Sequence, residues 1–124
     1  MYHAVFTNGE VFDQPITKVV CVGRNYAEHA KELNNPVPDE PILFIKPETS
    51  VVNLHDVIEI PQTDCHYETE LAILLGSELK NADAETVLKS IVGVGLALDL
   101  TRRSLQSKLK EKSHPWEVAK AFDG

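Results

Sequence analysis

Two alternating runs limit what this chain can fold into more than any other feature. Positions 66–75 read His66-Tyr67-Glu68-Thr69-Glu70-Leu71-Ala72-Ile73-Leu74-Leu75, and positions 92–99 read Val92-Gly93-Val94-Gly95-Leu96-Ala97-Leu98-Asp99. Strand side chains point alternately to opposite faces, so Glu68 and Glu70 share one face while Leu71, Ile73 and Leu75 take the other. Same-face neighbours lie about 7 Å apart. At an effective dielectric of about 20, two carboxylates at that spacing repel by about 2.4 kcal/mol. A chain that places such a pair beside a core must hydrate it or neutralise it. A divalent cation would neutralise it, and all-carboxylate ligation selects a hard ion such as Mg2+, Mn2+ or Ca2+.

The second run supports the same idea. Val92, Val94, Leu96 and Leu98 fall on one face, whereas Gly93, Gly95 and Ala97 share the other with Asp99 and leave free space beside that carboxylate. Taken singly, each pattern has a plainer explanation: Glu-x-Glu on a strand is usually a solvated outer face, and small residues permit close packing. Together the two strands favour a metal-binding face built from Glu68, Glu70 and Asp99.

At 124 residues and 43% hydrophobic, the sequence predicts one globular domain over residues 1–124, or part of a larger one, near the size where cores become marginal. A formal charge of −7 argues against nucleic acid or an anionic membrane as a partner. Lys108, Lys110 and Lys112 cluster as the wet side of a short helix. No stretch approaches a membrane span, and the N-terminus lacks a basic-then-apolar signal. Cys21 and Cys65 are too few and too separated for a disulfide framework or a zinc knuckle, so a reducing, cytoplasmic location is expected.

Punctuation along the chain sets the expected elements. Residues 5–12 read as a hairpin around Asn8-Gly9, the pair that suits a type I′ turn. Lys18 to Val22 predicts a short strand, and Asn25 a cap for a helix from Tyr26 to about Leu33, stopped by Asn34-Asn35-Pro36. Ile42 to Lys46 and Val57 to Ile60 predict strands bounded by proline. Asp83 is expected to cap a helix with Ala84, Val87, Leu88 and Ile91 on one face, and Thr101 another running to about Lys112. Short helices at irregular intervals among strands exclude a doubly wound sheet and predict an α+β fold.

Five blocks then occur in order: Gly23-Arg24-Asn25-Tyr26-Ala27-Glu28-His29 with Glu32; Pro41-Ile42-Leu43-Phe44-Ile45-Lys46-Pro47; His66-Tyr67-Glu68-Thr69-Glu70-Leu71; Leu98-Asp99-Leu100-Thr101 with Arg103 and Gln106; and Pro115-Trp116 with Ala119-Lys120-Ala121-Phe122-Asp123. From Lys18 onward the chain closely resembles the fumarylacetoacetate hydrolase superfamily, in its short acylpyruvate hydrolase and oxaloacetate decarboxylase-like branch. The resemblance implies a mixed β-sheet roll with short inserted helices. It also implies a Mg2+- or Mn2+-dependent enzyme, a homodimer acting on small 2-oxo acids. Glu68, Glu70 and Asp99 match the family's metal ligands, His29 and Glu32 a catalytic pair on a short lid helix, and Lys120 the lysine beside the metal. Arg103 and Gln106 match positions that hold the substrate.

Residue chemistry is compatible with those roles. His29 and Glu32 are i and i+3 on one helix face, and a carboxylate orients an imidazole for base chemistry near neutral pH. A bare pair of this kind is more often simple surface, and Lys120 on its own reads as an ordinary exposed lysine. The expected reaction is hydrolytic C–C cleavage of an acylpyruvate, with oxaloacetate decarboxylation or isomerisation of a related diacid as alternatives and a non-catalytic, metal-binding or dimerising module as a further one. Ser104 stands where close relatives usually carry an acidic residue. The family's sheet continues beyond the Lys120 block, so the chain is expected to be the N-terminal portion of the domain, with the roll incomplete and Val94, Leu96 and Leu98 under-covered.

Overall fold

The computed structural model describes residues 1–61 and 64–124. Its backbone is two antiparallel ribbons with short helices between the strands. Strand β1 (Lys18–Gly23) pairs with β2 (Ile42–Pro47), and the 11-residue β3 (Cys65–Leu75) pairs with the 12-residue β4 (Ile91–Arg102). Helix α1 (Ala27–Glu32) lies between β1 and β2, and α2 (Ala84–Lys89) between β3 and β4. Helices α3 (Arg103–Glu111) and α4 (Glu117–Lys120) follow β4, and a single 3-10 turn, Glu48–Ser50, follows β2. The α+β class is therefore as expected.

The β3–β4 register fixes the faces. Glu68 pairs with Asp99, Glu70 with Ala97, Ala72 with Gly95 and Leu74 with Gly93, so all three carboxylates project from one side of the ribbon. That side is the covered one: α4 packs against β4 and β2, and Phe6 sits over Gly93, where a Cβ would come within 3.1 Å of its ring. Gly95 opens onto free space. The aliphatic face carrying Leu71, Ile73, Val94 and Leu96 is open instead, Leu96 being 71% exposed. The deepest side chains among the described residues are largely polar, Asp99, Thr101, Gln106 and Lys120, joined by Ala30 and Ala119.

Several expected local features differ. The 5–12 segment is held by one bridge, Val5 to Val11, with Gly9 N–H bonded to Phe6 O and Phe6 N–H to Glu10 O. Only Gly9 takes positive φ, +88°, so the loop is of three residues ending in a left-handed glycine rather than a type I′ turn. Arg24 at φ +54° turns the chain before α1, which starts after Tyr26 without a side-chain cap from Asn25. Among the described residues Val57–Ile60 has no partner strand, and both end residues are exposed. Ile91 opens β4 rather than extending α2, whose cap by Asp83 is as expected, with Thr86 N–H donating to Oδ1 at 2.8 Å.

Thr101 is not a helix cap. It lies within β4, fully buried, while Asp64 caps α3 from outside by accepting from Ser104 N and Ser104 Oγ, the latter at 2.6 Å. The threonine hydroxyl is occupied elsewhere, as the site shows.

Candidate metal centre

Glu68 and Asp99 lie directly opposite each other across an antiparallel pair, where like charges destabilise a sheet unless something offsets them. Three cationic side chains do so. Lys120, only 3% exposed, comes from the end of α4 and donates to Glu68 Oε2 at 3.0 Å, Asp99 Oδ2 at 2.7 Å and Thr101 Oγ1 at 2.7 Å. Its three ammonium protons are thereby all engaged. Thr101 passes its own proton to Asp99 O at 3.2 Å. Arg103 donates to Glu68 Oε1 through Nη2 and to Gln106 Oε1 at 2.6 Å through Nη1. Lys46 Nζ stands 2.9 Å from Asp99 Oδ1.

Among the described residues no cation pairs directly with Glu70. Burial, followed by the charges of Glu68 and Asp99, pushes its carboxyl above the ordinary range, only partly opposed by Tyr26 and the Lys120 charge. Burial also acts to raise Glu68, but the Arg103 hydrogen bond and the Lys120 ammonium outweigh it and hold that carboxyl below the ordinary range. The two glutamates on one strand face are thus driven apart: Glu68 is paired with Arg103 and Lys120, whereas among the described residues Glu70 is paired with no cation.

The residues fit a hard cation. Glu68, Glu70 and Asp99 each offer an oxygen within 4.8 Å of the others. Asp99 Oδ1 is buried without an aligned hydrogen bond; Lys46 Nζ pairs with it at 2.9 Å as a charge and donates to the carbonyls of Leu100, at 3.3 Å, and Lys120. A buried carboxylate oxygen without an aligned hydrogen bond, beside a glutamate whose carboxyl is pushed up by burial and neighbouring charge, is what an oxygen-ligated divalent ion would complete.

The other residues singled out in the sequence divide. Arg103 and Gln106 join the cluster as a hydrogen-bonded pair. His29 and Glu32 form their own pair on α1, Nδ1 to Oε2 at 3.6 Å, with side chains 49% and 76% exposed. Among the described residues neither bonds to the three carboxylates; Tyr26, just before α1, acts on the Glu70 carboxyl. Four residues were given no role in the site by sequence reasoning: Tyr26, Lys46, Thr101 and Cys21. Lys46 had a readable signal, since it alternates with Ile42 and Phe44 on the covered face of β2. Cys21, on β1, feels the charges of Asp99, Lys46, Lys120 and Glu70; burial, then Asp99, pushes its thiol up to about 11.

The chain is similar to known proteins over most of its length. The sequence profile described as "Fumarylacetoacetate (FAA) hydrolase C-terminal" matches residues 18–124. The chain is 50% identical over 125 residues to oxaloacetate tautomerase YcgM of Escherichia coli (strain K12), covering 99% of this chain and 57% of that one. It is 46% identical over 109 residues to the mitochondrial oxaloacetate decarboxylase of Dictyostelium discoideum, covering 86% and 50%. A crystal structure of fumarylpyruvate hydrolase from Pseudomonas aeruginosa, in complex with Mn2+ and pyruvate, superposes with a TM-score of 0.82 at 36% identity, covering 96% of this chain and 53% of that one. The chain spans about half the length of the curated relatives it matches. With its blocks in this order and its ribbons in this fold, the chain belongs to the fumarylacetoacetate hydrolase family.

Proposed function

We propose that this chain carries the cation-binding half of an enzyme acting on short 2-oxo acids, with oxaloacetate as substrate and keto–enol proton transfer as the reaction. The observation that carries this reading is the buried ammonium of Lys120, held between Glu68 and Asp99 with Arg103 and Gln106 beside it. Such a group stabilises negative charge on an oxygen, the charge that appears when a proton leaves the carbon next to a 2-oxo group. Similarity to an oxaloacetate tautomerase at 50% identity and to an oxaloacetate decarboxylase at 46% supports oxaloacetate over a longer acylpyruvate.

Glu68, Glu70 and Asp99 would hold a divalent cation, which supplies Lewis acidity toward the 2-oxo oxygen when bound. The remaining steps belong to the chain's own residues. Arg103 and Gln106 present N–H donors to the substrate carboxylate. His29, oriented by Glu32, accepts the proton from carbon 3 and the enol oxygen takes a proton in return, so one C–H bond is exchanged for one O–H bond. Lys120 faces the oxygen while its charge is greatest.

A second reading, hydrolytic cleavage of an acylpyruvate, is favoured by the likeness to the fumarylpyruvate hydrolase structure. There His29 takes a proton from water and the water oxygen attacks the distal carbonyl. The C–C bond then breaks to give a carboxylic acid and pyruvate. The intact protein should be offered enol-oxaloacetate and acetylpyruvate, each with Mg2+, with Mn2+ and with EDTA. Metal-dependent loss of the enol without pyruvate supports tautomerisation. Pyruvate from oxaloacetate indicates decarboxylation, and acetate plus pyruvate from acetylpyruvate indicates hydrolysis. Turnover of neither compound overturns all three.

A further inference from the structure

We propose that Lys46 is a positioning residue for Lys120: it clamps the Lys120 backbone carbonyl and so sets where the Lys120 ammonium sits. The two lysines meet through a reciprocal arrangement. Phe44 and Lys46 are two apart on the covered face of β2, and Lys120 and Phe122 are two apart at the end of α4. Lys120 Nζ lies 5.2 Å from the Phe44 ring centre, and Lys46 Nζ lies 5.7 Å from that of Phe122. Each ammonium thus rests on the other segment's aromatic ring, within reach of a cation–π attraction.

Helix α4 needs such a clamp. It has four residues, too few to hold its own shape, and its last carbonyls have no partner within the helix. Lys46 supplies one: its ammonium takes the Lys120 carbonyl and, at 3.3 Å, that of Leu100 on β4. The side chain is only 12% exposed, so the charge is fixed rather than sampling solvent. Lys46 Nζ also pairs with Asp99 Oδ1 at 2.9 Å, and among the described residues it bonds to neither glutamate. Two of its three donors go to backbone carbonyls, which is the behaviour of a brace.

The inference rests on the proposed function only for the choice of assay. In the intact protein, Lys46→Met is expected to lower kcat about tenfold or more and leave KM within about twofold, because the brace acts on a group that serves the transition state. In a Lys120→Met background the same change should alter kcat by less than about twofold, since the residue it acts through is gone. Lys46→Gln keeps a donor for the carbonyl without the charge, and should retain more activity than Lys46→Met. Multiplying effects of the two methionine changes, or equal loss in Lys46→Gln and Lys46→Met, would overturn the clamp. The same cycle read by urea unfolding in EDTA needs no substrate, and there the two methionine changes should be less than additive in midpoint. If the wild type turns over no 2-oxo acid, the functional reading fails while the unfolding cycle still decides the clamp: additive midpoints reject it.

Discussion

Lys120 Nζ bridges Glu68 and Asp99 across the β3–β4 ladder, 3.0 Å from one carboxylate and 2.7 Å from the other. Among the described residues it is the cation that contacts both, Arg103 reaching Glu68 and Lys46 reaching Asp99. Breaking a buried ionic cluster by removing one partner is costly, so Lys120→Met is expected to destabilise the metal-free protein by about 3–5 kcal/mol. Glu68 adds a pH signature. Its folded pKa lies below the ordinary value of 4.5, so its contribution is present above that value and is lost as pH falls through the folded pKa. Urea unfolding from pH 7 to pH 3 should show this loss beginning below about pH 4.5 in the wild type, and weakly in Lys120→Met. Matching profiles in the two proteins would refute the bridge.

Glu70 has the opposite sign. Its folded pKa is raised, so the folded protein binds a proton more readily than the unfolded chain, and stability contributed by the neutral form is lost as pH rises through the folded pKa. At neutral pH in EDTA, Glu70→Gln should therefore stabilise the fold, by less than about 1 kcal/mol because the group is solvent-screened. The same change should weaken Mn2+ binding about tenfold or more by removing a charged oxygen ligand. Calorimetric titration with Mn2+ beside thermal melts in EDTA would read both. Stabilisation without loss of Mn2+ affinity would remove Glu70 from the ligand set.

The long ribbon and its three-carboxylate face were legible in the sequence because strand alternation is local and survives any tertiary arrangement. Val94 and Leu96 are under-covered as expected, and they lie open together with Leu71 and Ile73. What the pattern hid was that the polar side is the packed one, covered by α4 and Phe6. Thr101 shows a second kind of loss. A threonine before a helical run fits the capping rule, but a buried lysine from 19 residues downstream claims its hydroxyl, and Asp64 reaches across to cap the helix instead. Such choices are made by tertiary contacts, as is the absence of a strand at Val57–Ile60, which finds no partner to pair with among the described residues.

Cys21 offers a probe of the site that requires no substrate. Burial and the Asp99 charge push its thiol up to about 11, against an ordinary value of 9.0. Only the thiolate reacts, so alkylation of Cys21 by iodoacetamide at pH 8 should be about a hundredfold slower in the folded protein than in urea. Asp99→Asn removes one of the charges that raise the thiol and should speed the folded-state reaction. Peptide mass spectrometry over a time course separates Cys21 from Cys65. Folded and unfolded rates within a few fold of each other would show that β1 does not turn this side chain toward the carboxylates.

The His29–Glu32 pair tests whether α1 belongs to the chemistry or only to the surface. Its ion-pair distance of 3.6 Å and its exposed side chains suit a group that meets a substrate rather than one that holds a core. Helix α1 is anchored by buried Ala30, and Tyr26, which precedes it, acts on the Glu70 carboxyl. A base presented from this helix contributes about 10²–10⁴-fold to a proton-transfer rate. His29→Ala is therefore expected to lower kcat on enol-oxaloacetate by that order, with Mn2+ affinity within about twofold of wild type. Glu32→Gln, which keeps the shape but removes the carboxylate that orients the imidazole, should lower kcat on enol-oxaloacetate while leaving Mn2+ affinity within about twofold of wild type. Parallel loss of activity and of Mn2+ affinity in His29→Ala would assign the histidine to structure, and an unchanged kcat in Glu32→Gln would separate the glutamate from the base.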